Sequence, residues 1–286
     1  MALSARIPST ILTNLFVPTI YLNKVIDAAK SNLVNLDAVN TEWTSGKLKG
    51  NVFYITKTNV VTASEVVVNT KGSALNPFNT TGVTVTMDQW FQAPIDIDDM
   101  SEWQSHIDVE NYAMKESAYA IQEKIDTYVS SFYSTLNAST VKGTDGAALT
   151  DDVLIECMET LDEANAPRDG NRSLILDPSG VADMMKFDKF VSADYVSLGA
   201  VANGIIGKSH PIYGCTVRVT NNLTATTTGN YCVMMHKDAI AAKVQIENVW
   251  VWAFKDLHTT RYHSEALFGV SEAQDAFGIP FYSRKK

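Results

Sequence analysis

Apolar side chains recur at steps of three or four residues through one long segment, from Ser105 to Leu136. This spacing lines one face of an α-helix. At about 1.5 Å per residue the segment would be roughly 45 Å long, well beyond the average globular helix of about 11–12 residues. The pattern therefore predicts one long helix, named the spine helix here, and no other segment has a comparable helical pattern. Its apolar stripe consists of Met114, Ala118, Ile121, Ile125, Tyr128, Phe132 and Leu136.

Much of the remaining chain carries β-branched runs, which favour strands. Between Gly50 and Ile95 such runs flank a turn-rich segment and predict a β-hairpin with a loose tip. Thr, Asn and Val give this hairpin little to bury, and an isolated hairpin is marginal in water, so we expect it to pack against a neighbour. The other predicted strands are Ser173–Leu176, Thr216–Thr220, Tyr231–His236, Val249–Phe254 and Thr259–Val270, and shorter helices are predicted over 150–165, 179–187 and 238–243.

The first 46 residues carry short apolar clusters that Pro8 and Pro18 separate. Dispersed hydrophobic residues of this kind cannot form one face of a helix or a sheet. We therefore expect an N-terminal arm that packs on another surface, such as another subunit.

The chain is long enough for a large core but carries few charges. Its 286 residues, 45% of them hydrophobic, suffice for one large domain or two modest ones. Only 19% are charged, below the roughly 25% of typical domains. Because desolvating fixed charges is costly, such a surface suits extensive protein contacts. A monomer with a neutral polar surface is the alternative.

The net charge of −9 argues against a protein that mainly binds nucleic acid, because phosphate neutralisation needs clustered Lys and Arg. The acids are concentrated on the spine helix and its entry. Between Asp96 and Asp126 nine acids accompany only Lys115 and Lys124. This segment is therefore predicted to be strongly acidic.

Three widely spaced cysteines, Cys157, Cys215 and Cys232, form neither a disulfide framework nor a metal knuckle. We expect reduced thiols, with Cys157 and Cys232 as small buried hydrophobic groups. No apolar run resembles a secretory leader or a membrane span, so neither is expected.

The segment Ala202–Ser209 ends like a phosphate-binding loop but lacks its first glycine, and His210-Pro211 disfavours the helix that should follow. A plain Gly-rich loop is the preferred interpretation.

Four acids near the start of the spine helix could hold a divalent cation, but the preferred interpretation is an acidic helix entry stabilised by the helix dipole. These acids are Asp96, Asp98, Asp99 and Glu102. His258 and His263 lie five positions apart in a predicted strand, hence on opposite faces. No catalytic motif is present, so the sequence predicts no enzyme, cofactor or metal site; a metal-dependent enzyme using Asp98 or Asp99 is a remote alternative.

Four stretches together resemble major capsid proteins of tailed bacteriophages with the HK97-like fold. They are 91–103, 165–178, 234–242 and 260–270. The second is the most telling, because a helix closed by Pro, a short Arg-bearing strand and an Asp-Pro helix start recur there in that family.

The resemblance implies an α+β fold of four parts. Residues 1–46 would form the N-terminal arm and 47–95 an extended loop that reaches a neighbouring subunit. A peripheral domain would combine 96–143 with 244–286, and an axial domain would span 144–243. It also implies a structural protein of the virion, synthesised in the host cytoplasm, that assembles as pentamers and hexamers into an icosahedral shell around DNA. An encapsulin-type compartment enclosing an enzyme cargo is the alternative.

Within this scheme the arm and the hairpin are expected to make contacts between subunits, and the acidic face of the spine helix to repel enclosed DNA. The expected contact residues are Ile11, Leu15, Phe16, Phe53, Tyr54, Val66 and Phe78. The expected DNA-facing acids are Glu116, Glu123 and Asp126. Scaffolding, portal and decoration proteins are possible partners, no membrane partner is expected, and DNA would be enclosed without sequence-specific binding.

Overall fold

The computed structural model describes residues 30, 33–43, 50–58, 61, 63, 65, 80–99, 109–137, 141–187 and 212–285. These ranges contain three α-helices, α1 Val109–Ser131, α2 Asp151–Glu163 and α3 Pro178–Met184. They also contain nine strands, β1 Val52–Thr58, β2 Thr80–Thr86, β3 Gln89–Asp98, β4 Arg172–Leu176, β5 Thr216–Val219, β6 Gly229–His236, β7 Ile240–Phe254, β8 Thr259–Glu272 and β9 Gly278–Arg284.

Helix α1 is the spine helix, and it packs on an antiparallel three-stranded sheet in the order β3-β8-β7. Its buried face differs from the predicted stripe. Ala118 is exposed, whereas Ser117 is buried and donates a hydrogen bond to the carbonyl oxygen of Ala93 at 2.7 Å. A small polar residue faces β3 at this position, so apolar character alone does not show which side of the helix is buried here.

Strands β1 and β2 form the predicted hairpin, paired from Val52 with Thr86 to Thr58 with Thr80. The base of this hairpin packs against its own subunit, because Val85 is fully buried against Ala241 and Ala273. The next strand, β3, pairs with β8 from Gln89 onward. The predicted hairpin boundary at Ile95 therefore lies too late, because 89–95 belong to the sheet under α1.

A four-stranded sheet in the order β5-β4-β6-β9 carries α2 and α3. Its last strand corrects the predicted boundaries: β9 pairs antiparallel with β6 from Arg284 with Gly229 to Gly278 with Met235. Residues 278–284 therefore belong with the predicted axial domain rather than with the peripheral one. Asp177 caps α3 as expected, accepting from the backbone N–H of Gly180 at 2.8 Å.

The helix predicted over 238–243 is wrong. A single 3-10 turn, Lys237–Ala239, leads directly into β7, which begins at Ile240. Ile240, Ala241 and Ala242 are all completely buried, so the alternation that marks a strand is hidden in the sequence. The same strand crosses the predicted domain boundary at residue 243.

Residues 33–40 pack on their own subunit and are not part of a free arm. Ala38 and Val39 are buried in a cluster with Val129 of α1 and Met235 of β6. Asn40 bridges β7, where its N–H donates to the carbonyl oxygen of Ile240 at 3.0 Å. The expectation of an arm that packs elsewhere fails for these residues.

Candidate assembly surfaces

A buried polar cluster fastens residues 33–40 to α1. The carboxylate of Asp126 accepts from the Asn35 backbone N–H at 2.7 Å, from Asn35 Nδ2 at 3.0 Å and from Asn222 Nδ2 at 3.3 Å. Asn35 Nδ2 also donates to the Asp126 carbonyl oxygen at 3.1 Å. Asp126 thus joins three separate parts of the chain.

Asp126 cannot face enclosed DNA, which corrects the sequence prediction. This residue is 1% exposed. Burial raises the pKa of its carboxyl group, although the hydrogen bonds from Asn35 and Asn222 oppose the shift. An Asp at a helix position that looks polar in sequence here acts as an internal hydrogen-bond acceptor.

The other two predicted DNA-facing acids lie nearer the surface. Glu116 forms an ion pair with Lys30 at 2.6 Å, and Glu123 is half-buried. Lys115 and Lys124 lie exposed on the same helix. With Asp126 buried and Glu116 paired, the exposed surface of α1 is less acidic than the count of acids in the sequence suggests.

Among the predicted contact residues, the structure describes Phe53 and Tyr54. Phe53 is half-buried, and Lys243 Nζ lies 5.3 Å from its ring centroid, so it helps to attach the hairpin to β7. Tyr54 points the other way and is 75% exposed. Ile11, Leu15, Phe16, Val66 and Phe78 lie outside the described residues.

The outer face of the β3-β8-β7 sheet, opposite α1, is aromatic and exposed, which sequence reasoning missed. Trp90, Trp250 and Trp252 are 69%, 45% and 45% exposed. Trp250 and Trp252 stack with ring centroids 6.2 Å apart, and the Arg261 guanidinium lies 5.1 Å from the Phe254 ring. The Trp-Val-Trp alternation within a strand could have revealed this aromatic sheet face.

Two of the candidate acids, Asp96 and Asp99, are engaged in structural contacts, whereas Asp98 is exposed. Asp96 binds Arg261, with Arg261 Nη2 at 2.7 Å, and hydrogen bonding to Arg261 lowers the pKa of Asp96. Asp99 accepts from Thr260 Oγ1 at 3.2 Å. No group of three or more His, Cys, Asp or Glu side chains arranged for a metal occurs among the described residues. Glu102 and the 202–209 loop lie outside them.

The sequence predicted that His258 and His263 lie on opposite faces of one strand, and this prediction is wrong. His258 lies in the turn before β8 at φ 51°, whereas His263 is buried in β8 and contacts the Glu265 carboxylate.

All three cysteines are reduced and buried. Burial raises the pKa of Cys157 to about 12 and that of Cys215 to about 11. Because the thiolate is the reactive form, neither thiol is activated as a nucleophile. Within the described part of the chain, no helix combines the length and apolar character that crossing a membrane requires.

Solved structures similar to this chain include phage and GTA particle chains. A solved structure from Mycobacterium phage Che8 matches at a TM-score of 0.77 and 22% identity, over 94% of this chain and 97% of that one. The capsid structure of Cyanophage P-SCSP1u matches at 0.74 and 16% identity, over 96% and 95%. The capsid of an empty GTA particle, solved with C5 symmetry, matches at 0.68 and 13% identity, over 94% and 96%. Neither a family model nor a curated protein matches the sequence.

These similarities extend over nearly the full length of each chain, so the whole arrangement is shared. The HK97-like α+β fold expected from the sequence is confirmed. The resemblance to capsid proteins is thereby confirmed at the level of the fold, at sequence identities too low to say more.

Proposed function

We propose that this chain is a structural capsid protein that self-assembles into a closed shell around phage DNA. The observation that carries the proposal is the match, over nearly the whole chain, to the capsid structures of Cyanophage P-SCSP1u and of an empty GTA particle. Closed shells reuse the same surface patches on every copy. The particle would be the virion, and the protein would be made in the host cytoplasm.

The exposed apolar surfaces support assembly. Large aromatic rings are exposed on the aromatic sheet face, at Trp90, Trp250 and Trp252, and on the hairpin, at Tyr54. Exposing such rings to water does not stabilise a lone subunit, and exposed apolar patches mark interaction sites. Aromatic residues are enriched in buried protein interfaces. We therefore assign both surfaces to contacts between copies, together with the predicted residues Ile11, Leu15, Phe16, Val66 and Phe78.

Within the shell, the four-part division carries over with amended boundaries. The arm ends before Leu33, the extended loop ends near Asp88, and β9 joins the axial domain. Pentamers and hexamers would form around the axial domains, and scaffolding, portal and decoration proteins would be accessory partners. The chain would have no enzymatic role.

We also propose that Glu116 and Glu123 face the enclosed DNA. A shell has to hold phosphate without gripping it, because strong contacts would hinder packaging. Neutral or weakly acidic surface is sufficient for this purpose, and the ion pair of Glu116 with Lys30 is consistent with it.

The experiment is assembly of the purified chain, with and without a scaffold, followed by light scattering. Trp250→Ser with Trp252→Ser should abolish large particles while the subunit keeps its fold, because exposed side chains contribute little to folding. Leu257→Ser, also exposed but at the turn beyond the strand, is the matched control. Normal assembly of the double variant would remove the aromatic sheet face from the interface. Co-purification of an enzyme cargo instead of DNA-packaging components would favour an encapsulin-type compartment.

A further inference from the structure

A small cavity beside the four-stranded β5-β4-β6-β9 sheet is lined by two arginines. It has a volume of about 280 Å³ and lies between α2, the loop before β4 and the turn before β5. Its lining residues are Met158, Arg168, Arg172, Tyr213 and Gly214. Since a water molecule takes about 30 Å³ of liquid, the space accommodates a small hydrated anion.

The two arginines share one carboxylate. Asp162 accepts from Arg168 Nε at 3.0 Å and from Arg172 Nη2 at 2.8 Å, and it also contacts Arg168 Nη2. These hydrogen bonds, with that from Arg168 the largest effect, lower the pKa of Asp162 to about 2. The positive charges of Arg168 and Arg172 are therefore matched by the single negative charge of Asp162. None of the described residues that line the cavity is acidic.

The deeper arginine retains unused donors. Arg172 is 2% exposed, and its Nε and Nη2 are bound to Pro167, Ala166 and Asp162. Its Nη1 makes no hydrogen bond with any residue that the structure describes. The same holds for Nη1 of Arg168. Arg172 lines the cavity and its Nη1 is not fully buried, so this nitrogen is available to an acceptor there.

The cavity wall is held in an uncommon backbone conformation. Tyr213 and Gly214 occupy the centre of a two-residue turn, with φ of 52° and 76°, closed by the bridge between Ile212 and Cys215. Positive φ at both positions defines a type I′ turn, in which Asn or Gly is usual and Tyr is strained. The Tyr213 hydroxyl contacts Asp151 of α2, which fixes the ring at the cavity. Strain of this kind is typically retained at binding sites.

We propose that this cavity binds an oxyanion, a phosphate or a carboxylate, through the Nη1 groups of Arg168 and Arg172. Guanidinium groups recognise both oxyanions through charge-assisted hydrogen bonds. The oxyanion has two available sources, free anion from solution or a side-chain carboxylate of a second copy. Binding by the isolated subunit does not depend on the proposed function, whereas the second source does.

The test is an NMR titration of the full-length subunit with inorganic phosphate, and separately with acetate, at constant ionic strength maintained with chloride. The Nε–Hε signals of Arg168 and Arg172 should shift along a saturable curve. Arg168→Gln should weaken phosphate binding roughly tenfold, the loss expected for one charge-assisted contact. The Arg168 side chain is 67% exposed, so this variant should fold normally.

Arg261 is the matched control, because it forms an ion pair with one carboxylate, that of Asp96, as Arg168 does with Asp162, but shares it with no second arginine among the described residues. Arg261→Gln should leave phosphate binding unchanged. Shifts that do not saturate with phosphate, or equal binding by Arg168→Gln, would overturn the proposal. If Arg168→Gln fails to fold, the wild-type titration still decides, because an unsaturable response refutes the site. Assembled shells that no longer bind phosphate would assign the oxyanion to a neighbouring copy, and shells that bind it would assign it to solution.

Discussion

Replacing Asp126 by Ala should destabilise the subunit substantially, although its sequence context suggests a solvent-facing position. The change removes the acceptor of the Asn35 backbone N–H and of Asn222 Nδ2, both held within a buried cluster. Each buried donor left without a partner costs about 1–3 kcal/mol. Asn35 Nδ2 is spared, because the Asp126 carbonyl oxygen and the Asn222 carbonyl oxygen still accept from it.

An opposing effect reduces the loss. Burial raises the pKa of Asp126, so the ionised carboxylate is itself disfavoured in the folded subunit, and its removal recovers part of the cost. We therefore expect the free energy of unfolding to fall by about 2–4 kcal/mol. Hydrogen exchange at the Asn40 amide, which is bonded to Ile240, should accelerate at least about tenfold as residues 33–40 detach.

The assay is urea unfolding together with hydrogen exchange, and the matched control is Glu123→Ala on the same helix. Glu123 is half-buried and no side-chain bond to it is seen in the described structure, so its replacement should change the unfolding free energy by less than about 0.5 kcal/mol. Equal effects of the two substitutions would show that the buried cluster does not hold residues 33–40 in place. So would faster exchange spread uniformly over the chain.

Three further predictions concern the hairpin, the charges and pH. Deleting Thr70–Thr81 should leave a monomer with near-normal melting but block closed particles, as seen by calorimetry and sedimentation; an unfolded monomer would contradict this. Glu116→Lys with Glu123→Lys should give empty shells that bind short DNA fragments with a steep salt dependence, and binding equal to that of the parent would place this face away from DNA. The pKa values of Asp162 and Asp169 are each lowered to about 2, so the stability that these two ionised carboxylates give the fold should be complete above about pH 4 and lost as the pH falls towards 2. Asp162→Asn should therefore make the free energy of unfolding depend less steeply on pH in that range, and an unchanged pH dependence would count against this prediction.

The sequence predicts an element well where its pattern is local. Helix α1 lies within the predicted spine segment, and the Asp177 cap and β4 to β6 likewise follow from capping residues or from periodicity. Fully buried strands hide their alternation, which is why the start of β7 resembles a helix in sequence. Strand partners are also not written locally, so the pairing of β9 with β6 cannot be predicted from either segment alone.

Surface assignments from sequence are weaker, because polarity does not reveal burial. Asp126 looks like part of a solvated face, yet its hydrogen-bond donors are supplied by Asn35 and Asn222, far away in sequence. Trp250 and Trp252, which the sequence analysis did not single out, lie on the exposed side of an edge strand. In both cases the tertiary fold decides which face of an element meets solvent.

Electron microscopy of the purified full-length protein, after assembly with or without scaffold, is the decisive measurement for the proposed capsid role. We expect closed shells of uniform size, built from rings of identical subunits. Monomers or irregular aggregates under every assembly condition would rule that role out.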